Sequence, residues 1–162
     1  PFTEVYNRFL GYITDDMYME LTPEDTLRDL TNLLINAIPG FEFPRKNLME
    51  YTIDTTTPNV LESTSSFAEE LTSEEINILA ILMMISWTQR QVTSIENTRM
   101  KYSSSDFKFT SQANHLAKLL TLLQETQRQS HHMQRLYKRR RTDENGRYES
   151  NWSILRDSSA LN

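Results

Sequence analysis

The stretch that most constrains this chain is Thr72-Ser73-Glu74-Glu75 together with the apolar run that follows it, Ile76, Ile78, Leu79, Ile81, Leu82, Met83, Met84, Ile85 and Trp87. Threonine followed three residues later by glutamate is a capping box, in which the hydroxyl accepts a forward amide and the carboxylate reaches back to the threonine amide. The side chains beyond it are apolar almost all the way round, and a helix without a polar face must be enclosed by others. The pattern therefore predicts a central helix with a bundle built about it. Adjacent Met83 and Met84 suit either an adaptable groove or the filling of core gaps, and their place between isoleucines favours the core. With only 3 glycines and 5 prolines, the chain lacks the tight turns that a strand-rich fold needs. At 162 residues it fits one domain.

Other helices read less sharply. Val5, Phe9, Leu10 and Ile13 share a face of a first helix starting after Thr3, weakened at Gly11 and ended by Thr14-Asp15-Asp16. Thr22-Pro23-Glu24-Asp25 supplies an N-cap hydroxyl, a proline at a position where its missing N–H costs nothing, and two acids at the positive end of the helix dipole. Leu27, Leu30, Leu33, Leu34 and Ala37 then form a stripe that ends at Pro39-Gly40. Residues 41–71 break the rhythm with Pro44, Pro58 and a Thr/Ser-rich stretch, predicting a long irregular loop that either covers the core or reaches a neighbouring subunit. After a polar break at 101–111, a fourth helix takes Ala113, Leu116, Ala117, Leu120 and Leu123 as its apolar edge. Beyond Leu123 the sequence stays compatible with a helix but the edge stops, so this part either projects from the body or packs in a polar interface. The expected class is all-α: a small bundle of about four helices, with an irregular loop after the second and an extended C-terminal arm. The body spans 1–137 and the arm 138–162.

Composition excludes several kinds of function. With no cysteine there is no disulfide framework, thiolate metal site or cysteine nucleophile. Three glycines at positions 11, 40 and 146 cannot build a phosphate loop. His131 and His132 are adjacent, about 100° apart on a helix, and cannot chelate one metal as an i, i+4 pair would; with His115 they are the only imidazoles. Asp15-Asp16 and Glu69-Glu70 are carboxylate pairs with a simpler use as helix-terminal charges. The expectation is a protein that is not an enzyme and binds no cofactor or metal. No apolar run approaches a membrane span, and the opening Pro1-Phe2-Thr3-Glu4 does not read as a secretory signal.

Charge is unevenly placed. Residues 1–80 carry a net −11 and residues 81–162 a net +6. Such a chain can associate head to tail with its own copies, or folding can simply intermix the two halves. A hydrophobic fraction of 38% is low for a chain wholly enclosed in its own core, which suggests that part of the sequence lies outside it. Lys138-Arg139-Arg140-Arg141, with Tyr137 and Tyr148 nearby, suits phosphates or an acidic protein surface, and the net charge of −5 favours the protein. Tyr148, Trp152, Ile154 and Leu155 then stand among Ser, Asn and Arg, as anchors that become ordered against a partner or, for Trp152, fold back on their own domain.

Several of these stretches resemble small structural proteins of tailed bacteriophages: Leu71 to Ala80, Lys101 to Leu116, Met133 to Arg140, and the opening Tyr6 to Leu10 with Ile13 to Asp16. Within that group the architecture is similar to the head-tail connectors, or neck adaptors. The resemblance implies a homo-oligomeric ring, usually a dodecamer matching the portal. Genomic DNA would pass through its channel in transient, non-specific proximity. It further implies a virion location at the head-tail interface after assembly in the host cytoplasm, contact with the portal and with neck or tail proteins, and no membrane partner. The segment such families insert against the portal corresponds to Lys138–Leu155, so the expected portal-binding residues are Lys138, Arg139, Arg140, Arg141, Tyr148, Trp152, Ile154 and Leu155. No catalytic motif comes with the resemblance. The competing readings are a DNA-binding packaging accessory, similar to a small terminase, and another neck component such as a stopper or tail-completion protein.

Overall fold

In the computed structural model, the residues described are 1–13, 17–57, 59–101, 109–142 and 148–149. They form a mostly helical bundle. The elements are α1 (Phe2–Leu10), the single turn α2 (Met17–Glu20), α3 (Pro23–Ala37) running into a 3-10 turn (Ile38–Gly40), α4 (Ser73–Lys101) and α5 (Phe109–Arg139). Two short antiparallel strand pairs accompany them: β1 (Tyr51–Thr52) with β2 (Ser66–Phe67), and β3 (Arg141–Thr142) with β4 (Tyr148–Glu149). The all-α class and the long irregular loop stand as expected. The expected arm falls largely on residues outside those described.

α4 is the axis. Its capping box forms, with the Glu75 amide donating to the Thr72 hydroxyl at 3.3 Å and the Thr72 amide donating to the Glu75 carboxylate at 2.8 Å. At 29 residues it runs for about 43 Å. It packs against α1, α3, the 3-10 turn and α5. Ile78, Leu79, Ala80, Ile81 and Met83 are each at most 2% exposed, which accounts for a helix that reads apolar on every side. Met83 is core and Met84 lies half-buried against it.

α3 begins where its cap predicts, the Thr22 hydroxyl accepting the Asp25 amide at 3.1 Å with Pro23 in the first turn. α1 begins earlier than expected. Phe2 and Tyr6 are fully buried with Val5 and Phe9, while Leu10 and Ile13 only flank the core. The early start is held by the loop, since the Phe2 amide donates to the Ser65 carbonyl at 2.9 Å and the Phe2 ring sits 4.7 Å from that of Phe67. Tyr6 links α1 to α3. Because the Thr31 hydroxyl donates to the Leu27 carbonyl at 2.7 Å, the Tyr6 hydroxyl must be the donor in its 2.9 Å bond to Thr31.

The loop between α3 and α4 therefore covers the core, placing Phe41, Leu48, Ser65 and Phe67 inside. Its Thr/Ser richness has a structural use. The Asp54 carboxylate accepts from the Thr56 amide (2.9 Å) and hydroxyl (2.7 Å), the Thr57 hydroxyl, and the Thr64 amide (3.1 Å) and hydroxyl (3.0 Å), tying the two sides of the loop together. These donors, the Thr57 hydroxyl first, hold the Asp54 carboxyl far below its ordinary range. Of the two described glycines, Gly40 is where a side chain meets resistance: a Cβ there would lie 3.0 Å from a Leu82 methyl, so the turn after α3 comes close to α4.

Candidate partner-binding surface

The expected edge of α5 is out of phase with the structure. Leu116 is buried, but Leu120 is 39% exposed and Ala117 lies outside. The inward line is Leu116, Leu119, Leu123, Thr126, Ser130, Met133 and Tyr137, a 3,4 alternation averaging 3.5 residues. That is the spacing by which two packed helices keep one seam in contact. The stripe does not end at Leu123; it continues in polar residues.

Of the two expectations for the far half of α5, projection from the body or a polar interface, the second holds, and the interface lies within the chain itself. This half packs on its own chain, antiparallel to α4 and under the loop after α3. Thr126 donates to its own helix at Leu122 (2.7 Å). Gln134, 2% exposed, accepts the Glu42 amide at 2.7 Å and donates to the Gly40 carbonyl at 3.1 Å and the Ser130 hydroxyl at 3.2 Å. Tyr137, 1% exposed, donates to the Glu75 carboxylate at 2.6 Å and accepts the Arg45 amide at 3.2 Å. Burial, then the bond to Glu75, push the Tyr137 hydroxyl pKa well above its usual value.

Arg45 closes this end of the bundle. Its guanidinium donates to the Tyr137 carbonyl at 2.7 Å and to the Arg140 carbonyl, and it stacks 4.3 Å from the centre of the Tyr137 ring. A helix leaves its last four carbonyls without partners, and here a cation from the loop supplies donors at the negative end of the dipole. The basic run is consequently divided. Lys138 lies 3.8 Å from the centre of the Phe43 ring, and Arg140 pairs with Glu74 at 2.8 Å. Arg139 is exposed as the last residue of α5. Arg141 and Tyr148 lie in the β3–β4 pair, and Trp152, Ile154 and Leu155 are outside the described residues.

A second polar cluster joins α2, α3 and α4. Arg90 forms a two-pronged bond to Asp29 at 2.6 and 2.9 Å, and the Tyr18 hydroxyl donates to the same carboxylate at 2.8 Å. Burial alone would raise the Asp29 pKa, but the Arg90 and Tyr18 bonds and the Arg90 charge outweigh it and hold the group below its ordinary value. The cleft beside it has a volume of about 440 Å³ and also involves Asp25, Asn32 and Gln91. His115, His131 and His132 are exposed, and His131 lies 3.3 Å from Glu42. Among the described residues, no three His, Cys, Asp or Glu side chains are placed to hold a metal ion, and no helix is long and apolar enough to cross a membrane.

Comparison with known protein families, with curated proteins and with solved structures returned no match.

Proposed function

We propose that this chain is a virion structural protein of a tailed bacteriophage, an adaptor that forms a ring between the portal and the neck or tail, and not an enzyme. The observation that carries the reading is the surplus of apolar surface on the α4–α5 hairpin. Leu119, Leu122 and Leu123 stay half-buried and Leu120 is 39% exposed, a wider arc than one partner helix covers. A neighbouring copy docked on that side would bury it. The charge asymmetry suits head-to-tail closure, and the phage-like stretches supply the setting. The portal contact falls to Lys138, Arg139, Arg140, Arg141, Tyr148, Trp152, Ile154 and Leu155.

The test is native mass spectrometry and electron microscopy of the purified protein, alone and with portal. A closed ring, alone or on portal, is expected, and Leu120→Glu should block its closure while leaving the helical spectrum unchanged. A chain that stays monomeric with portal at micromolar concentration overturns the reading. Truncation after Thr142 should leave the Arg45–Tyr137 closure intact and weaken portal binding at least tenfold through loss of Tyr148, Trp152, Ile154 and Leu155; undiminished binding would remove those four residues from the proposal.

A further inference from the structure

The outer face of α5 carries a feature of which the adaptor reading uses only the last residue, Arg139. Arg128, His132, Arg135 and Arg139 follow at i, i+4, i+7 and i+11 and are all exposed, forming one straight line opposite the polar seam. The line is about 16 Å long. Among the described residues Arg135 donates only to the His131 carbonyl of its own helix, at 3.3 Å, while the two ion pairs near this end engage Glu42 with His131 and Glu74 with Arg140. The sequence contains no carboxylate between Glu125 and Asp143, so on α5 itself only Glu125, one turn before Arg128, stands near the line, and His132, Arg135 and Arg139 have no acidic neighbour on their own helix.

We infer that this stripe is a contact surface for the phosphate backbone of double-stranded DNA. The class of partner follows from what the stripe has and lacks. Protein interfaces draw their energy from large anchors in desolvated pockets, and the line holds three arginines and one imidazole with no large apolar anchor. Single-stranded nucleic acid is gripped by successive aromatic stacking platforms, and the line offers a single ring, His132, rather than a series. A straight rod of arginines, held in register by a helix packed from behind, matches a stiff polyanion whose affinity comes from counterion release. Contacts of this kind carry no sequence information. The stripe lies upstream of most of the Lys138–Arg141 run, whose Lys138 and Arg140 are already engaged with Phe43 and Glu74. The inference does not rest on ring formation or portal binding and is tested on the purified protein alone.

The experiment is fluorescence anisotropy with a labelled 30-base-pair duplex of random sequence, titrated from 50 to 200 mM salt. Three arginine–phosphate contacts give a slope of about −2.7 in log affinity against log salt, roughly a fortyfold loss over that range. The variant Arg128→Gln, Arg135→Gln, Arg139→Gln should lose nearly all of that slope. The control Arg8→Gln, Arg28→Gln, Lys118→Gln removes the same charge from exposed positions off the line and should retain it. The single-stranded form of the same oligonucleotide should bind at least tenfold more weakly. No duplex binding at 50 mM salt, an equal loss in both triple variants, tighter binding of the single strand, or stripe-dependent binding of polyglutamate without binding of duplex would each overturn the inference. Circular dichroism of both variants confirms that these surface changes leave the helices folded.

Discussion

Removing one hydroxyl at the seam between α4 and α5 should expose how that seam is held. In Tyr137→Phe the ring still fills its place, 5.4 Å from Phe41 and under the Arg45 guanidinium, so packing is preserved and the loss is purely polar. Glu75 is 2% exposed; one of its oxygens is held by the Thr72 capping box and the other by Tyr137. The substitution leaves that second oxygen without its donor and the Arg45 amide without its acceptor. A hydrogen bond to a charged group contributes about 1.5–3 kcal/mol, and leaving a buried partner unmatched costs about 1–3 kcal/mol. Since the two estimates describe overlapping losses, we expect destabilisation of about 2–3 kcal/mol. Urea unfolding followed by helical circular dichroism measures it, with an unchanged m-value as the sign that compactness is unaltered. A cycle with Glu75→Ala should show coupling above 1 kcal/mol, because the two groups act as a pair. A cost below about 0.5 kcal/mol, with coupling near zero, would mean that water satisfies Glu75 and would refute the account of the seam.

Three further outcomes follow from the same geometry. Gln134→Ala strips partners from the Glu42 amide and the Gly40 carbonyl at once and should cost about 2–3 kcal/mol in urea unfolding, with hydrogen exchange rising first at residues 40–45. Arg45→Ala should leave global stability within about 1 kcal/mol yet accelerate amide exchange in the last turn of α5, whose carbonyls it caps. Stability should also fall on the alkaline side. Burial pushes the Tyr6 hydroxyl up to about 12 and raises Tyr18 and Tyr137 as well, so the unfolded chain releases these protons from about pH 10 while the folded chain keeps them. Folding free energy is then lost as pH rises above 10, by up to about 1.4 kcal/mol per pH unit for Tyr6, and Tyr6→Phe should flatten the decline in urea midpoints between pH 9 and 11.

What the sequence made legible was what it encodes locally. The capping box at Thr72 and Glu75, the N-cap at Thr22 with Pro23, and the enclosure of α4 each follow from residues within a few positions of one another, and each stands in the structure. The start of α1 was missed because it depends on Ser65, sixty-three residues away, whose carbonyl receives the Phe2 amide. The closure of α5 was missed for the same reason, as Arg45 and Glu42 reach it across 92 residues from a loop that carries no helical period. The phase of α5 could have been found. Leu116, Leu119 and Leu123 extend at heptad spacing to Thr126, Ser130, Met133 and Tyr137, but a search for apolar letters stops where the polar ones begin.

That change of lettering bears on how α5 presents its outer face. A seam of leucines tolerates sliding by a turn, because one methyl group is much like another; a hydrogen-bonded seam does not, because each polar group has one partner in one place. Were α5 displaced by a single turn, Gln134 would leave the Gly40 carbonyl and Glu42 amide, and Tyr137 would leave Glu75. Rotation by one residue would swing the helix about 100° and carry the arginine line away from its present side. Packing alone would have left that orientation loosely specified, since the inward residues after Leu123 are small or polar except for Met133 and Tyr137. The buried bonds therefore do two things with one set of atoms: they hold the loop after α3 to the bundle, and they fix the side on which Arg128, Arg135 and Arg139 stand. If so, Gln134→Ala should weaken duplex binding beyond what its unchanged charge allows, and identical salt slopes in that variant and the parent would show that the outer line is oriented by something other than the seam.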